Sequence, residues 1–91
     1  MRVEYLGSYD RALRKLPRNT QHDTARAIDR LLEYFRTGLR PHGLGLKRLH
    51  RHYWELRIGL ANRVLFEFQE DRLTFVFVGN HDAIRRWLHS A

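Results

Sequence analysis

The spacing of the apolar residues changes near residue 50, and this change limits the folds that the chain can adopt. Before it, four apolar residues follow the i, i+3, i+4, i+7 spacing of one buried helical stripe: Ile28, Leu31, Leu32 and Phe35. After it, apolar and polar residues alternate in "YWELRIG" and "NRVLFEFQ", which is typical of strands with one covered face. The sequence therefore predicts early helices that cover one face of a later sheet.

The N-terminal half predicts one strand and two helices. "RVEYL" at 2–6 is the predicted strand, and Ser8 is predicted to cap a short helix that Pro17 ends. Thr20, with an acidic residue three positions later, resembles a capping box at the start of the second helix. Gly38 is the predicted end of that helix.

The second half of the chain predicts a short glycine-rich loop and then consecutive strands. "GLAN" and "QEDR" are the predicted turns, and "LTFVFVG" is apolar on both sides, as expected for a central strand covered on both faces or partly covered by a terminal helix. The predicted fold class is α+β: a small antiparallel-rich sheet with two N-terminal helices packed on one face and a short C-terminal helix. A length of 91 residues predicts a single domain, 1–91, and we expect the opposite face of the sheet to be open.

The composition favours a polyanionic partner. The formal net charge is +7, and 15 of the 17 basic residues are arginine, whose rigid fork fits phosphate and stacks on bases. Nucleic acid is the leading partner class, and an acidic protein is the alternative. The absence of cysteine excludes disulfides and thiolate metal sites. No apolar run is long enough for a membrane span, so we expect a cytoplasmic protein with no membrane partner.

Two arginines are predicted to face each other on the open face of the sheet. If the hairpin closes around residues 59–61, Arg57 and Arg63 lie on adjacent strands about 5 Å apart at Cβ. Like charges in this position repel each other. Either Glu55 and Glu67 neutralise them, or the pair binds an anion such as a phosphate, and the sequence leaves both alternatives open.

The turn "GNHD" at 79–82 is predicted to bring a proton donor to the same surface. His81 can lean over the open face and exchange a proton near neutral pH, whereas Asp82 can simply be the N-cap of the last helix. The turn also resembles a motif of calcineurin-like metallophosphatases, but the chain lacks their upstream D-x-H and G-D ligands. His50 and His52 share a face of a predicted strand, and two ligands without a third do not make a zinc site.

Four segments, in this order, resemble the RelE/ParE superfamily of bacterial toxins: "LKRLH", "YWELRIG", "NRVLFEF" and "FVFVGNHDAIRRWL". The resemblance extends over essentially the whole chain and implies the same small sheet with two helices on one face. RelE-like and HigB-like members are ribosome-dependent endoribonucleases that cut mRNA, and each is neutralised by an antitoxin encoded beside it. Members of the ParE branch poison DNA gyrase instead and lack the catalytic set.

The resemblance also implies catalytic roles and a chemistry without metal or cofactor. Arg63 of "NRVLF" matches the arginine that the RNases place beside the scissile phosphate, and Glu55 and Arg57 of "ELR" fall where several members carry catalytic residues. His81 follows the "VG" turn, where members place a histidine or arginine. A 2′-hydroxyl attacks the adjacent phosphorus, which requires a base, cations and an acid. The arginines would supply the charge. His81 and Glu55 are the candidates for proton transfer, with His81 favoured as the acid and Glu55 as the base, and the opposite assignment is left open.

Further residues are predicted to bind RNA. Tyr53 and Trp87 can stack on a splayed base, an interaction worth about 1–3 kcal/mol. Trp87 falls where many members have a tyrosine, and packing with Ile84 and Leu88 is an equal alternative for it. The cations predicted to track ribosomal or messenger phosphate are Lys47, Arg48, Arg51, Arg85 and Arg86.

The sequence therefore leaves three functions open. An mRNA-cleaving toxin needs the Arg57–Arg63 pair and His81, a gyrase-directed toxin shares the fold without needing His81, and a regulatory nucleic-acid-binding module needs neither. The first is the leading hypothesis. Its expected partners are a cognate antitoxin, in a toxin–antitoxin hetero-oligomer, and the ribosome with its mRNA.

Overall fold

The computed structural model describes residues 1–90, which form a five-stranded sheet and three helices. The elements in chain order are β1 (Arg2–Tyr5), α1 (Gly7–Arg14), α2 (Arg18–Thr37), β2 (Leu46–Arg48), β3 (Tyr53–Ile58), β4 (Asn62–Gln69), β5 (Arg72–Asn80) and α3 (His81–Ser90). The strand order is β1-β5-β4-β3-β2, with β1 parallel to β5 and the other neighbours antiparallel. This is the predicted α+β fold with an antiparallel-rich sheet.

One face of the sheet is covered by α1 and α2, as the helical spacing predicts. Leu31 of α2 is fully buried against strand residues that the alternation places on this face, among them Leu56 and Phe66. Trp54 stacks on Phe66 with ring centroids 6.4 Å apart. Burial of a large apolar side chain contributes about 1.5–3 kcal/mol, so this main core holds the helices on the sheet.

The prediction that the other face is open is wrong for half of the sheet. α3 packs against β5 and β4, and a second core forms around Leu65, Val76 and Ile84, all of them buried. The pairing of β4 with β5 shifts after Leu65, so Val76 is an extra residue in a β-bulge. The bulge lets two successive residues, Val76 and Phe77, join the second core. The apolar side chains on this second face of β4 and β5 must be shielded from water, and α3 packs over them.

Two of the predicted helix starts are also wrong. Ser8 lies inside α1, and its hydroxyl donates a 2.5 Å hydrogen bond to the carbonyl of Val76 instead of capping the helix. α2 begins directly after Pro17, so Thr20 lies within the helix. The fixed φ of a proline suits a helix start, and it outweighs the capping pattern here. The predicted end of α2 is confirmed, because Gly38 has φ 77° and donates its N–H to the carbonyl of Tyr34 at 2.7 Å.

The longest helix, α2, has 20 residues. Charged side chains cover its exposed side, including Arg26, Asp29, Arg30 and Glu33. Within residues 1–90, no helix is both long and apolar enough to span a bilayer.

Candidate functional site

The β3–β4 hairpin places the two arginines as the sequence predicts. Arg57 and Arg63 are directly paired across the two strands, and the turn between them contains Gly59 at φ 62°. Side chains alternate along β3, so Glu55 lies on the same face as Arg57. The second core under α3 begins at Leu65, two residues after Arg63 on this face. The arginine pair therefore lies beside α3, on the part of the face formed by β3 and the start of β4.

Glu55 and Arg63 form a part-buried ion pair. The Nε of Arg63 donates to Oε2 of Glu55 at 3.1 Å, and only 17% and 13% of the two side chains remain exposed. Nη1 of Arg63 also donates to the carbonyl of Asn62 at 3.2 Å. Two hydrogen bonds in a shielded position fix the plane of the guanidinium. The sequence left open whether carboxylates neutralise the two arginines or whether the pair binds an anion. For Arg63 the structure shows neutralisation, and the carboxylate is that of Glu55.

Arg57 differs from Arg63 because it is exposed and has no ion-pair partner within residues 1–90. The backbone N–H of Arg57 donates to the carbonyl of Gly45 at 2.7 Å. If residue 45 had a side chain, its Cβ would lie only 2.9 Å from the Cβ of Arg57. Glycine at this position thus makes room for Arg57. Lys47 lies opposite Glu55 and is exposed. Three cations surround one carboxylate, which leaves the surface positive and suited to an anion.

Glu67 does not neutralise either arginine, because no ion pair within residues 1–90 includes it. It pairs across the strands with Tyr53. Burial, and then the nearby carboxylate of Glu67, raise the pKa of the Tyr53 hydroxyl above its usual value. Tyr53 is therefore a neutral hydroxyl at physiological pH, suited to hydrogen bonding and stacking.

His81 is the first residue of α3 and is exposed. It lies two residues beyond the β5 position that pairs with Arg63, so the strand end brings it to the same end of the sheet as the arginine pair. The predicted N-cap Asp82 lies within the helix instead. The backbone N–H of Ala83 donates a 2.8 Å hydrogen bond to the side-chain oxygen of Asn80. Asn80 is thus both the last residue of β5 and the N-cap of α3.

A basic groove of about 630 Å³ runs between α3 and the turn that joins β2 to β3. Its lining residues are His50, Arg51, Tyr53, Arg85, Leu88 and His89. Three of the residues predicted to bind RNA, Arg51, Tyr53 and Arg85, thus come together here. The turn is tight, with Arg51 at φ 57°, and His50 and His52 lie in it rather than on a strand as expected.

The sequence did not single out His50 and His89 for the basic groove. A pattern that points to His89 is present in the chain, because His81, Arg85 and His89 recur every four residues and therefore lie along one side of α3. His50 had no such pattern, because its position depends on the tight turn before β3.

The other four residues predicted to bind RNA lie outside the basic groove, and one of them, Lys47, lies opposite Glu55. Arg48 is paired with Trp54, and its guanidinium donates to the carbonyl of Arg51 at 3.1 and 3.3 Å. Arg86 lines a separate shallow hollow beside Trp87. Trp87 packs on Phe77 and, edge to face, on Tyr53, with ring centroids 6.5 and 6.3 Å apart. These contacts favour the alternative in which Trp87 packs in the second core.

Comparison of the whole chain with solved structures gives matches along nearly its full length. A chain of the RelB–RelE antitoxin–toxin complex from Methanococcus jannaschii matches with a TM-score of 0.67 and 18% identity, over 91% of this chain and 95% of that one. This chain has the RelE fold. YafQ from Escherichia coli matches with a TM-score of 0.65 and 14% identity, over 92% of this chain and 98% of YafQ.

A copper-bound mutant toxin from Helicobacter pylori also matches this chain, with a TM-score of 0.70 and 15% identity over 92% of this chain and 98% of that toxin. All of these identities are low, so the likeness concerns the fold. No protein-family model and no curated protein matches the sequence. Within residues 1–90, no group of three or more histidine, cysteine, aspartate or glutamate side chains is arranged to hold a metal ion.

Proposed function

We propose that this chain is the toxin of a toxin–antitoxin pair and that it cleaves mRNA, on the ribosome, by attack of a 2′-hydroxyl on the adjacent phosphate. The observation that carries the proposal is the Arg57–Arg63 pair, which is only partly neutralised by Glu55 and lies at the same end of the sheet as His81. The RelE fold supports the toxin role, since the matching structures include the RelB–RelE antitoxin–toxin complex, YafQ and the DinJ–YafQ toxin–antitoxin complex.

The two arginines have different roles in this proposal. Arg63 is held by Glu55 and by the carbonyl of Asn62, so its guanidinium is oriented before substrate arrives. The guanidinium of Arg57 makes no such contact with the residues that the structure describes, and it moves to meet the phosphate. Both stabilise the charge that develops on the pentacoordinate phosphorus, and electrostatic stabilisers of this kind typically contribute about 100-fold to 1,000-fold each.

Proton transfer is assigned to His81 and Glu55. His81 donates to the 5′ leaving oxygen, because it is exposed at the same end of the sheet as the arginine pair and makes no ion pair with a carboxylate of residues 1–90. Glu55 accepts the proton of the 2′-hydroxyl through Oε1, because Arg63 occupies Oε2. The same ion pair gives Glu55 a second role, which is to orient Arg63.

The basic groove binds the RNA that flanks the scissile phosphate. Arg51 and Arg85 attract the backbone from the two sides of the groove. Tyr53 presents part of its ring to the groove, where a base can stack on it. The imidazoles of His50 and His89 complete the lining and can donate hydrogen bonds to phosphate or to base edges.

The proposed partner is a cognate antitoxin with an acidic or amphipathic segment. RelB–RelE and DinJ–YafQ are toxin–antitoxin complexes that share this fold. The net charge of +7 favours an acidic segment, which would compete with RNA for the same cations. Salt should therefore weaken both complexes.

The experiment is a brief pulse of expression followed by mapping of the 5′ ends of cellular mRNA. New ends within reading frames support the proposal, and incorporation of labelled amino acid should fall before that of labelled thymidine. Early loss of DNA synthesis with intact protein synthesis would contradict the proposal and favour action on gyrase. Arg14→Ala is the matched control, because Arg14 is an exposed arginine on α1, on the helix-covered face of the sheet.

A further inference from the structure

β1 is an edge strand, and no strand within the described part of the chain, residues 1–90, lies on its outer side. The backbone N–H of Arg2 donates to the carbonyl of Asp71, just before β5, and that of Leu6 donates to the carbonyl of Phe75 within β5. In a parallel strand, the backbone N–H and C=O groups of every second residue bond to the same neighbouring strand. In β1 these are the groups of the even-numbered residues, which bond to β5. The N–H and C=O groups of Val3 and Tyr5 consequently point outward and are available to another strand.

The side chains on this edge are unusually apolar for an exposed strand. Met1, Val3 and Tyr5 are 50%, 37% and 47% exposed. Proteins commonly protect such edges with proline, lysine or a bulge, and β1 has none of these. The edge therefore has both the hydrogen-bonding groups and the apolar surface that favour strand addition.

The opposite edge of the same sheet is protected by charge. β2 is three residues long and carries adjacent cations, Lys47 and Arg48. An antiparallel pair of two β2 strands centred on residue 47 would bring two lysines face to face, which is unfavourable. β1 has the reverse property, because its charged residues, Arg2 and Glu4, have opposite signs and flank Val3 symmetrically.

We propose that β1 pairs antiparallel with β1 of a second copy of this chain, in a register centred on Val3. Val3 would lie opposite the partner's Val3 as a hydrogen-bonded pair, which its outward N–H and C=O allow. Arg2 would face the partner's Glu4, and Glu4 the partner's Arg2, while Tyr5 would lie opposite the partner's Met1. Arg2 and Glu4 form one ion pair within each chain, at 2.9 Å, so the dimer would exchange two pairs within chains for two pairs between chains.

The charge near this edge permits the approach of two basic molecules. Two charges of β1 and its N-terminus are paired with acidic residues within the chain: Arg2 with Glu4, and the N-terminal ammonium with Asp71 in the turn before β5. This local balance reduces the repulsion that a net charge of +7 on each chain would otherwise cause. The strand has four residues, so the interface is small and the dimer is weak and concentration-dependent.

The dimer would contain a continuous sheet with two copies of the basic groove. β1 and the turn between β2 and β3 lie at opposite edges of the sheet, so pairing through β1 leaves both grooves exposed. The inference does not depend on the proposed function.

The test is the mass of the purified chain across a wide concentration range, by sedimentation equilibrium. The mass should rise from 11.0 kDa toward twice that value. Val3→Pro removes the outward N–H but no hydrogen bond to β5, and it should stay monomeric. Val3→Ile keeps the N–H and should still dimerise, and circular dichroism checks the fold of both variants.

A charge swap tests the register. Glu4→Arg places like charges opposite each other twice and should weaken dimerisation at least tenfold. Adding Arg2→Glu to it restores opposite charges with the original net charge, and dimerisation should return. Amide exchange gives the direct readout, since the Val3 and Tyr5 amides should become protected only at high concentration.

A mass of 11.0 kDa at every concentration would overturn the inference. Equal dimerisation of folded Val3→Pro would also overturn it, because the interface would then lie elsewhere. If the wild-type chain is monomeric and Val3→Pro weakens only the binding of an antitoxin, the edge belongs to the antitoxin and not to a second copy.

Discussion

The ion pair between Glu55 and Arg63 should appear as a coupling free energy in a double-mutant cycle. At an N–O distance of 3.1 Å, the gross attraction is about 5 kcal/mol with an effective dielectric constant of about 20. Desolvation of two side chains with 13% and 17% exposure offsets most of this. We therefore expect Glu55→Ala and Arg63→Ala each to lower the free energy of unfolding by about 2 kcal/mol. The double variant should be more stable than the sum predicts, by about 1–2 kcal/mol.

The assay is urea unfolding followed by the fluorescence of the two tryptophans. A domain of this size is typically stable by about 5–14 kcal/mol, so both single variants should remain folded and their activity can be measured. Arg63→Lys is the control that keeps the charge but loses the fixed guanidinium plane. Additive effects within about 0.5 kcal/mol would refute the argument, because they would mean that Glu55 does not hold Arg63 in solution.

Three further predictions concern single residues. Gly45→Ala forces a Cβ to within 2.9 Å of the Cβ of Arg57, so mRNA cleavage should fall about tenfold, while circular dichroism shows an intact fold. Burial, then Tyr5 and Asp10, raise the pKa of Tyr9 to about 12. The folded protein therefore favours the neutral hydroxyl of Tyr9, which adds to the free energy of unfolding. This contribution is complete below about pH 10, the pKa of tyrosine in the unfolded chain, and it is lost as the pH rises through about 12. The free energy of unfolding should fall by at most about 2.7 kcal/mol from this cause between about pH 10 and pH 12. Urea unfolding of Tyr9→Phe should show a smaller fall over the same pH range. Trp87→Ala should destabilise the fold by about 3 kcal/mol and Trp87→Phe by much less; equal stability of all three proteins would mean that the indole does not pack in the second core.

Short-range alternation in the sequence predicts the strands and the position of the arginine pair. The spacing in "YWELRIG" and "NRVLFEFQ" sets the faces of β3 and β4, and the turn at 59–61 sets their register. Both features depend only on residues that are close in sequence, so the pairing of Arg57 with Arg63 can be predicted, and the structure confirms it. The contact of Arg63 with Glu55 was one of two alternatives, and only the structure distinguishes them.

The features that sequence reasoning missed depend on contacts between distant segments. The β-bulge at Val76 has no local pattern, yet it allows α3 to cover half of the sheet. The basic groove exists only because α3 lies across from the turn that contains His50 and Arg51. Ser8 matched a capping pattern but instead bonds to the carbonyl of Val76, 68 residues away in sequence.

The central claim is that this surface cleaves mRNA with Arg63 and His81, and single-turnover cleavage on programmed ribosomes tests it most directly. Arg63→Ala should cut the rate at least about 100-fold, as loss of one electrostatic stabiliser does. His81→Gln keeps a polar side chain but removes proton transfer, and it should cut the rate by about 100-fold to 10,000-fold. Arg14→Ala should cleave at the wild-type rate, and circular dichroism should confirm that all three variants fold. Cleavage by folded His81→Gln at the wild-type rate would contradict the assignment of the acid, and absence of cleavage by the wild-type chain would contradict the proposed function itself.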